Sequence, residues 1–422
     1  MSAAKLSVLH FSATDVLGGS ARSAYRIHAG LRARGHRSRM LVGFRYSTDP
    51  DVSTVASNKL IQFADRCADK IGARFGFQYE FVPSSFATAS HPWVREADVI
   101  QLFNTHGGYF AQDLLPRFAQ HAPVVWRLSD LWPFTGHCAY PGECQRWQTG
   151  CGQCPDLATY PALGRDRTAQ LFELKRRLYA GLSLTIVAPS SWIAQQARSS
   201  PLFRDAAIHR IPNGLDDTAY VKCSRAEARQ ALGLPADAKV ILFAAHMLDD
   251  NPRKGGDVLR QALQELGPQP GWILALMGEG GSSWMGQVPL PVHMLGFQSD
   301  AATIARCYAA ADVIAIPSVL ENLPNTLVEA LACGRAVVAS RCGGMADGVV
   351  DGQTGMLVPT GDAAALGAGL QAVLTHDESR QAMERAARAL FEREFSASRE
   401  LDRLELLYRD LSNRRHARQV TA

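Results

Sequence analysis

Several familiar signals are missing from this 422-residue chain. No run approaches the roughly 18 uninterrupted apolar residues of a membrane-spanning helix. Residues 1–10 contain no long apolar core and no small-x-small cleavage site, so a cytoplasmic protein is the expectation. There is no internal repeat and no low-complexity tract. Charged residues make up only 20% of the chain and aromatics 8%, while 47% are hydrophobic, a globular balance that excludes extensive disorder. The dinucleotide fingerprint G-x-G-x-x-G is absent from the first strand-to-helix loop, which carries only Gly18-Gly19, and a dehydrogenase reading loses its main support. Nine cysteines in a chain of this length do not suggest a disulfide scaffold. Five of them (Cys67, Cys223, Cys307, Cys333, Cys342) are scattered and read as small apolar core residues.

What is present suits two domains of about 200 residues each. The net charge of +4 hides a division. Residues 1–213 hold 24 Lys and Arg against 15 Asp and Glu, or +9, and the remainder holds 20 against 25, or −5. A basic first half points to an anionic partner: nucleic acid, an anionic lipid surface or a phosphorylated ligand.

Short apolar runs alternate with helical patterns through both halves. Leu6–Phe11, Ser38–Gly43, Ala97–Phe103, Pro123–Leu128 and Leu184–Pro189 predict strands in the first half. Lys239–Ala245, Trp272–Met277, His293–Gly296, Val313–Pro317, Ala336–Ser340 and Gly355–Val358 predict them in the second. Helices are expected over Gly256–Leu266, Ala301–Ala311 and Asn325–Ala332. The class is α/β, with two Rossmann-like doubly wound domains, and ligands in such sheets bind at the carboxyl ends of the strands. The expected division is an N-terminal domain over residues 1–213, a second domain over 214–395, and a C-terminal helix with a basic tail over 396–422 that packs back on the first domain. The segment Ile211–Leu215 and the polar stretch to Pro235 join the domains. His36, after Gly35, reads as a charge at a helix end.

The most informative stretch is Ser318-Val-Leu-Glu321-Asn322-Leu323-Pro324-Asn325-Thr326-Leu-Val-Glu329-Ala-Leu-Ala-Cys-Gly334. A strand ends near Pro317, a loop carries Glu321, and a helix begins around Pro324–Thr326 and stops at Gly334. The free N–H groups of its first turn suit a phosphate. Arg253-Lys254-Gly255 follows another strand, and two cations on a glycine-bearing loop suit a diphosphate. Gly18-Gly19 permits close backbone approach to phosphates.

Glu321-x7-Glu329, Arg253-Lys254-Gly255 and Gly18-Gly19 together resemble the large family of retaining, nucleotide-sugar-dependent glycosyltransferases with the GT-B fold, family 4-like. Pro189-Ser190-Ser191-Trp192, Ile211-Pro212-Asn213-Gly214 and Gly343-Gly344…Asp351-Gly352-x-Thr354-Gly355 extend the resemblance over residues 6 to 395. The segment Trp126–Cys138 with its downstream cysteines is similar to bacterial members that build exopolysaccharides such as colanic acid. The resemblance implies a GT-B pair of domains facing an interdomain cleft and transfer of a hexose from a nucleoside diphosphate sugar. It implies that Glu329 accepts hydrogen bonds from the ribose hydroxyls and that Glu321 contacts the donor sugar. Arg253, Lys254 and the helix start at Asn325 and Thr326, with Asn322 and Leu323 beside them, would hold the diphosphate. Gly296 and Phe297 would flank the base. No catalytic cofactor and no Asp-x-Asp metal motif are implied. The acceptor would be a lipid-linked saccharide at the inner face of the cytoplasmic membrane.

This sequence departs from the family at two points. Ser129 stands where many relatives carry a histidine beside Asp130, and His106 or His137 is the replacement imidazole to look for. Ala245-His246 replaces a Gly-Arg pair, which leaves more of the phosphate work to Arg253 and Lys254.

Cys138, Cys144, Cys151 and Cys154 fall within 17 residues and end in a C-x2-C pair. A structural zinc, packed thiols and disulfides are the three readings of that spacing. Arg66, Lys70 and Arg74 beside Phe63, Ile71, Phe75 and Phe77 read as a basic amphipathic helix for an anionic membrane surface, with Lys175-Arg176-Arg177 adding charge. Two alternatives stand beside this reading: a nucleotide-sugar enzyme with a soluble acceptor, and a non-catalytic zinc-stabilised binding protein. No groove-reading element for nucleic acid is evident.

Overall fold

The run Lys239–Met247, K-V-I-L-F-A-A-H-M, has no polar face over its first seven residues, and its place in the sheet explains why. In the computed structural model, which describes residues 4–216, 218, 220 and 223–421, alternate residues of this strand enter opposite layers. Val240, Leu242 and Ala244 join one buried cluster, and Ile241, Phe243 and Ala245 join another. A strand covered on both faces must be apolar throughout, as parallel sheets between helical layers require. Each large side chain so buried contributes about 1.5–3 kcal/mol relative to exposure.

Among the described residues, thirteen strands form two all-parallel sheets. They are β1 Ser7–Thr14, β2 Arg37–Phe44, β3 Val52–Thr54, β4 Val99–Leu102, β5 Val124–Arg127, β6 Thr185–Ala188, β7 Ala207–Arg210, β8 Lys239–Met247, β9 Trp272–Glu279, β10 Val292–Gly296, β11 Val313–Ile316, β12 Ala336–Ser340 and β13 Gly355–Val358. The first sheet runs β3-β2-β1-β4-β5-β6-β7 and the second β10-β9-β8-β11-β12-β13. Each is doubly wound, and the order reverses between β1 and β4 and between β8 and β11. Those reversals open a crevice at the carboxyl ends of the strands. All eleven expected strands are present. β3 and β7 were not expected, because V-S-T is too short and A-I-H-R too polar to stand out in a periodicity.

The chain separates into one unit of Met1–Pro212 with Leu401–Ala422 and a second of Asn213–Glu400. The final helix, Ala397–Thr421, is longer than the sequence suggests and absorbs the basic tail. From Leu401 onward it belongs to the first unit, where Leu401, Leu404, Leu407 and Tyr408 enter the cluster of Val8, Ile27 and Leu31. Gly30 has no Cβ where Leu401 crosses it; a Cβ there would lie 2.5 Å from Leu401. His36 is not a helix-end decoration. It is buried, its Nδ1 accepts the Leu6 N–H at 3.1 Å, and its Nε2 lies 3.4 Å from Glu405 of the final helix.

Residues 1–3, 217, 219, 221, 222 and 422 lie outside the described residues, and with them the first three residues of the expected N-terminal domain and part of the linker to Pro235. The side chain of Arg418, in the basic tail, is outside them as well. Among the described residues, no helix is long and apolar enough to cross a membrane.

Candidate functional site

In the second unit the chemistry gathers behind β8 and β11. Arg253 and Lys254 occupy a single turn that ends at Gly255, whose φ of 71° an ordinary side chain resists. Space adds a second reason for glycine there, since a Cβ would meet the Pro317 carbonyl oxygen at 1.9 Å. That close approach seats both cations over the end of β11. Glu321 Oε1 accepts from Lys254 Nζ at 2.7 Å and lies 2.8 Å from an Arg253 guanidinium nitrogen. Arg253 also donates to the Leu320 carbonyl at 3.1 Å. Burial opposes the Glu321 charge, but Lys254 and Arg253 outweigh it and hold the carboxyl below its usual range. Gly343 closes the loop from behind; a Cβ there would overlap the Glu321 carbonyl oxygen.

Four residues beyond Glu321 the helix Asn325–Ala332 begins, with Pro324 at its N-cap. Proline offers no side-chain cap, so the N–H groups of the first turn receive none. The helix ends in a Schellman motif: Gly334, at φ 59°, donates to Leu331, and Arg335 donates to Ala330. Glu329 is buried one turn inside the helix. Burial and then the Glu329 charge push the fully buried Tyr308 phenol well up. Leu323 and Asn322 are buried in the connecting loop, and the Leu323 carbonyl accepts from Asn213 at 3.3 Å. At the end of β10, Gly296 has φ 67° and is followed by the exposed Phe297, whose ring lies 6.2 Å from that of His246.

The first unit builds its cluster at the ends of β1, β4 and β5. Gly18 (φ 92°) precedes the helix Gly19–Ala33, which has no side-chain cap. Ser20, in its first turn, donates to Asn104 at 3.0 Å and shares a 2.7 Å hydrogen bond with Ser129. The histidine expected by family resemblance is therefore replaced by a serine tied to the glycine loop. Of the two candidate imidazoles, His106 lies beside Asp130: its Nε2 is 2.8 Å from Asp130 Oδ2 and its Nδ1 is 3.2 Å from the Tyr160 hydroxyl. Asp130 Oδ1 accepts the Trp132 N–H at 3.0 Å, which fixes the carboxylate. His137 is elsewhere, with Nδ1 on the Pro161 carbonyl at 3.0 Å and Nε2 3.3 Å from Cys154 Sγ.

The four clustered cysteines are free thiols. Among the described residues no group of three or more His, Cys, Asp or Glu side chains is arranged to hold a metal ion. The zinc expectation for Cys138, Cys144, Cys151 and Cys154 is not shown by this arrangement. Their loop is held by ordinary hydrogen bonds: Gly136 N–H to Cys151 Sγ at 3.1 Å, Cys154 Sγ to the Asp156 carbonyl at 3.4 Å, and Trp147 Nε1 to the Cys144 carbonyl at 2.9 Å. Burial pushes the Cys138 thiol up to about 12 and Cys151 up to about 11. Lys175 is a second correction. Rather than adding surface charge, it is fully buried, donates to the Trp132 and Thr135 carbonyls at 2.6 and 3.0 Å, and lies 3.7 Å from the Trp132 ring centroid.

The helix Lys59–Phe75 is capped by Asn58, which accepts the Ile61 N–H at 2.9 Å, and ends at Gly76 with φ 82°. Its exposed face carries Lys59, Arg66, Lys70 and Arg74 together with Leu60, Phe63, Ile71 and Phe75. Phe77, Phe81 and Phe86 are also exposed just beyond it. Asp65 is buried and Asp69 half-buried on the opposite side.

Sequence reasoning missed Tyr160, Tyr308, Asp69 and the Ser20–Asn104–Ser129 contacts. Tyr308 carried a weak signal, as a lone aromatic in the alanine-rich helix Ala301–Ala310. The others come together only through tertiary structure.

Comparison with known proteins follows the same lines. Residues 238–376 match the glycosyl transferases group 1 family. Over 350 residues the chain is 27% identical to WcaC of Escherichia coli (strain K12), named as a colanic acid biosynthesis glycosyl transferase, covering 79% of this chain and 83% of WcaC. It is 36% identical over 220 residues to the D-inositol 3-phosphate glycosyltransferase of Saccharomonospora viridis, covering 48% of this chain and half of that protein. Anabaena HepE, solved with UDP-glucose, superposes with a TM-score of 0.68 at 18% identity, over 96% of this chain and all of HepE. WaaG, a glycosyltransferase involved in lipopolysaccharide biosynthesis, gives 0.64 at 18% identity, over 96% and 99% of the two chains. The fold is GT-B, and the chain is a glycosyltransferase. Its second unit carries a glycosyl transferases group 1 domain, and the chain is homologous to WcaC over most of its length. The non-catalytic reading falls with that assignment.

Proposed function

We propose that the protein transfers a hexose, with retention of anomeric configuration, from a nucleoside diphosphate sugar to a lipid-linked saccharide in surface-polysaccharide assembly. The observation that carries the donor half is the convergence of Lys254 and Arg253 on one oxygen of Glu321, at a strand end four residues before an uncapped helix N-terminus. A lysine ammonium has three N–H donors and Glu321 takes one of them. The pair is thus held in place by a resident carboxylate before the more highly charged diphosphate arrives. Glu321 Oε2 takes no hydrogen bond from the described residues and is suited to a donor-sugar hydroxyl. Glu329 serves the ribose hydroxyls, Asn325 and Thr326 offer N–H groups to phosphate, and Phe297 stacks on the base.

In the reaction the bond from anomeric carbon to diphosphate oxygen breaks as the acceptor oxygen attacks the same face. The acceptor proton passes to the departing phosphate, and Arg253 and Lys254 neutralise the charge left on it. Protein cations do this work, and no step calls for a cofactor. HepE was solved with UDP-glucose, and WcaC and WaaG are named for polysaccharide and lipopolysaccharide synthesis, which supports a nucleotide-sugar donor and an envelope acceptor. The face of Lys59–Phe75, basic on one border and apolar on the other, supports a seat at the cytoplasmic leaflet.

Incubation with a panel of nucleoside diphosphate hexoses and a membrane lipid extract, with NMR of the product linkage, tests the proposal. The expected result is a lipid-extractable glycoside with the donor's anomeric configuration. An inverted product, or transfer confined to water-soluble acceptors, contradicts it.

A further inference from the structure

The Lys59–Phe75 helix has two chemically different faces, and the inner one bears on the acceptor. Asp69 projects from it half-buried, with no hydrogen bond or ion pair among the described residues. Nothing cationic offsets its desolvation, and burial alone raises its carboxyl. The neighbouring loop leaves room for it: a Cβ on Gly108 (φ 74°) would sit 3.0 Å from the Asp69 carboxylate, so glycine lets the backbone after β4 close on that group. Two residues earlier in this loop is His106, bound at one nitrogen by Asp130 and at the other by Tyr160. Burial, and then the charges of Asp130 and Asp69, raise the Tyr160 phenol.

Tyr160 arrives from the cysteine-bearing segment. The Ala139 N–H binds its carbonyl at 2.9 Å, and the next residue, Pro161, is gripped by Gln78 and His137, each at 3.0 Å. A segment fastened this firmly nevertheless leaves Tyr160 56% exposed while its hydroxyl is bound by His106. A largely exposed tyrosine held by its hydroxyl, with an unpartnered carboxylate nearby, suits the C–H face and vicinal hydroxyls of a pyranose. An anionic ligand is disfavoured there, because Asp69 and Asp130 contribute negative charge and Asp69 has no counter-ion.

We infer that Asp69, His106 and Tyr160 form a subsite for an uncharged, hydroxyl-bearing sugar unit of the acceptor, an assignment that rests on the glycosyl-transfer reading above. The lipid-borne phosphate belongs instead to the outer, basic face of the same helix. One helix therefore sorts the acceptor's two chemistries, neutral sugar inward and anion outward. Tyr160 is the contact residue, and the cysteine-bearing segment serves to position it.

Saturation-transfer NMR on the full chain with UDP present tests this assignment. The probes are methyl gluco-, galacto- and mannopyranoside and the corresponding methyl uronic acids. At least one neutral hexoside should bind, and its uronic acid about tenfold more weakly, the size of one adverse charged contact. Asp69→Asn should shrink that discrimination, Tyr160→Ala should abolish binding, and Tyr160→Phe should keep the ring contact and weaken binding less. Melting curves and UDP binding that match wild type show that the variants are folded. A uronic acid that binds as well as its hexoside, an unchanged ranking in Asp69→Asn, or no hexoside binding at all overturns the subsite. If nucleotide-sugar turnover persists in that case, the subsite alone fails; if wild-type protein turns over no nucleotide sugar, the transfer reading fails with it.

Discussion

The two units place their chemistry at the same position in the fold, the carboxyl ends of parallel strands, yet they treat charge oppositely. In the second unit, net acidic by sequence, the site is cationic and its charges are paired: Arg253 and Lys254 share one oxygen of Glu321. In the first, net basic by sequence, the cluster inside is acidic and Asp69 stands unpaired, while Lys59, Arg66, Lys70 and Arg74 face solvent. Net charge per domain thus reports the outer surface and misreports the site. Local pairing decides the chemistry, because interactions in a partly buried site are screened far less than those at the surface.

The largest effect that would break this comparison is expected at Lys254. Lys254→Ala removes a proposed diphosphate donor and leaves Glu321 with only Arg253, so turnover should fall about 10²–10³-fold, the usual cost of removing one charge-stabilising donor. A loss confined to KM for the donor would make Lys254 a binding group only. Next is the outer face of the Lys59–Phe75 helix. Exchanging Arg66, Lys70 and Arg74 for glutamine should weaken sedimentation with anionic vesicles by about fivefold per charge, with little change on neutral vesicles. Equal binding to both vesicle types before and after would remove the membrane from the account.

The smallest effect sharpens the contrast through pH. The Glu321 carboxyl is held below its ordinary range in the folded chain, so its contribution to stability is complete above the unfolded value and fades as pH falls through the folded one. Glu321→Gln should therefore flatten the acid limb of the stability curve below about pH 4, the ordinary carboxylate value. Thermal melting from pH 7 to pH 3 reads this directly, and an unchanged acid limb would show that the pair does not couple to folding.

Much of the second unit is legible from sequence because its parts are contiguous. The strand end, Glu321, the Pro324 helix start and Gly334 lie within nineteen residues and are ordered by local rules of capping and turn formation. The boundaries of Asn325–Ala332 and Gly256–Leu266 follow from the same rules. The first-unit cluster is different in kind. Asp69, His106, Asp130 and Tyr160 come from a helix, two loops and the cysteine-bearing segment, and nothing local in those segments announces that they meet. Cysteine spacing suggested zinc, whereas the contacts that the Cys151 and Cys154 sulfurs make, to backbone groups and His137, depend on folding that spacing does not reveal. Lys175 was misplaced for a similar reason. Its neighbours Arg176 and Arg177 are surface residues, whereas its own position on the helix Thr168–Tyr179 faces the core.

The central claim is that the second unit binds a nucleoside diphosphate through Glu329 and the Arg253–Lys254 turn. Isothermal titration of UDP and GDP into the full chain, wild type and Glu329→Ala, tests it most directly. The account predicts binding of at least one of the two nucleotides by wild type, and a loss of about tenfold or more in Glu329→Ala, the size of a charge-assisted hydrogen bond to ribose. Equal affinity in the two proteins, or no nucleotide binding by wild type, would contradict it.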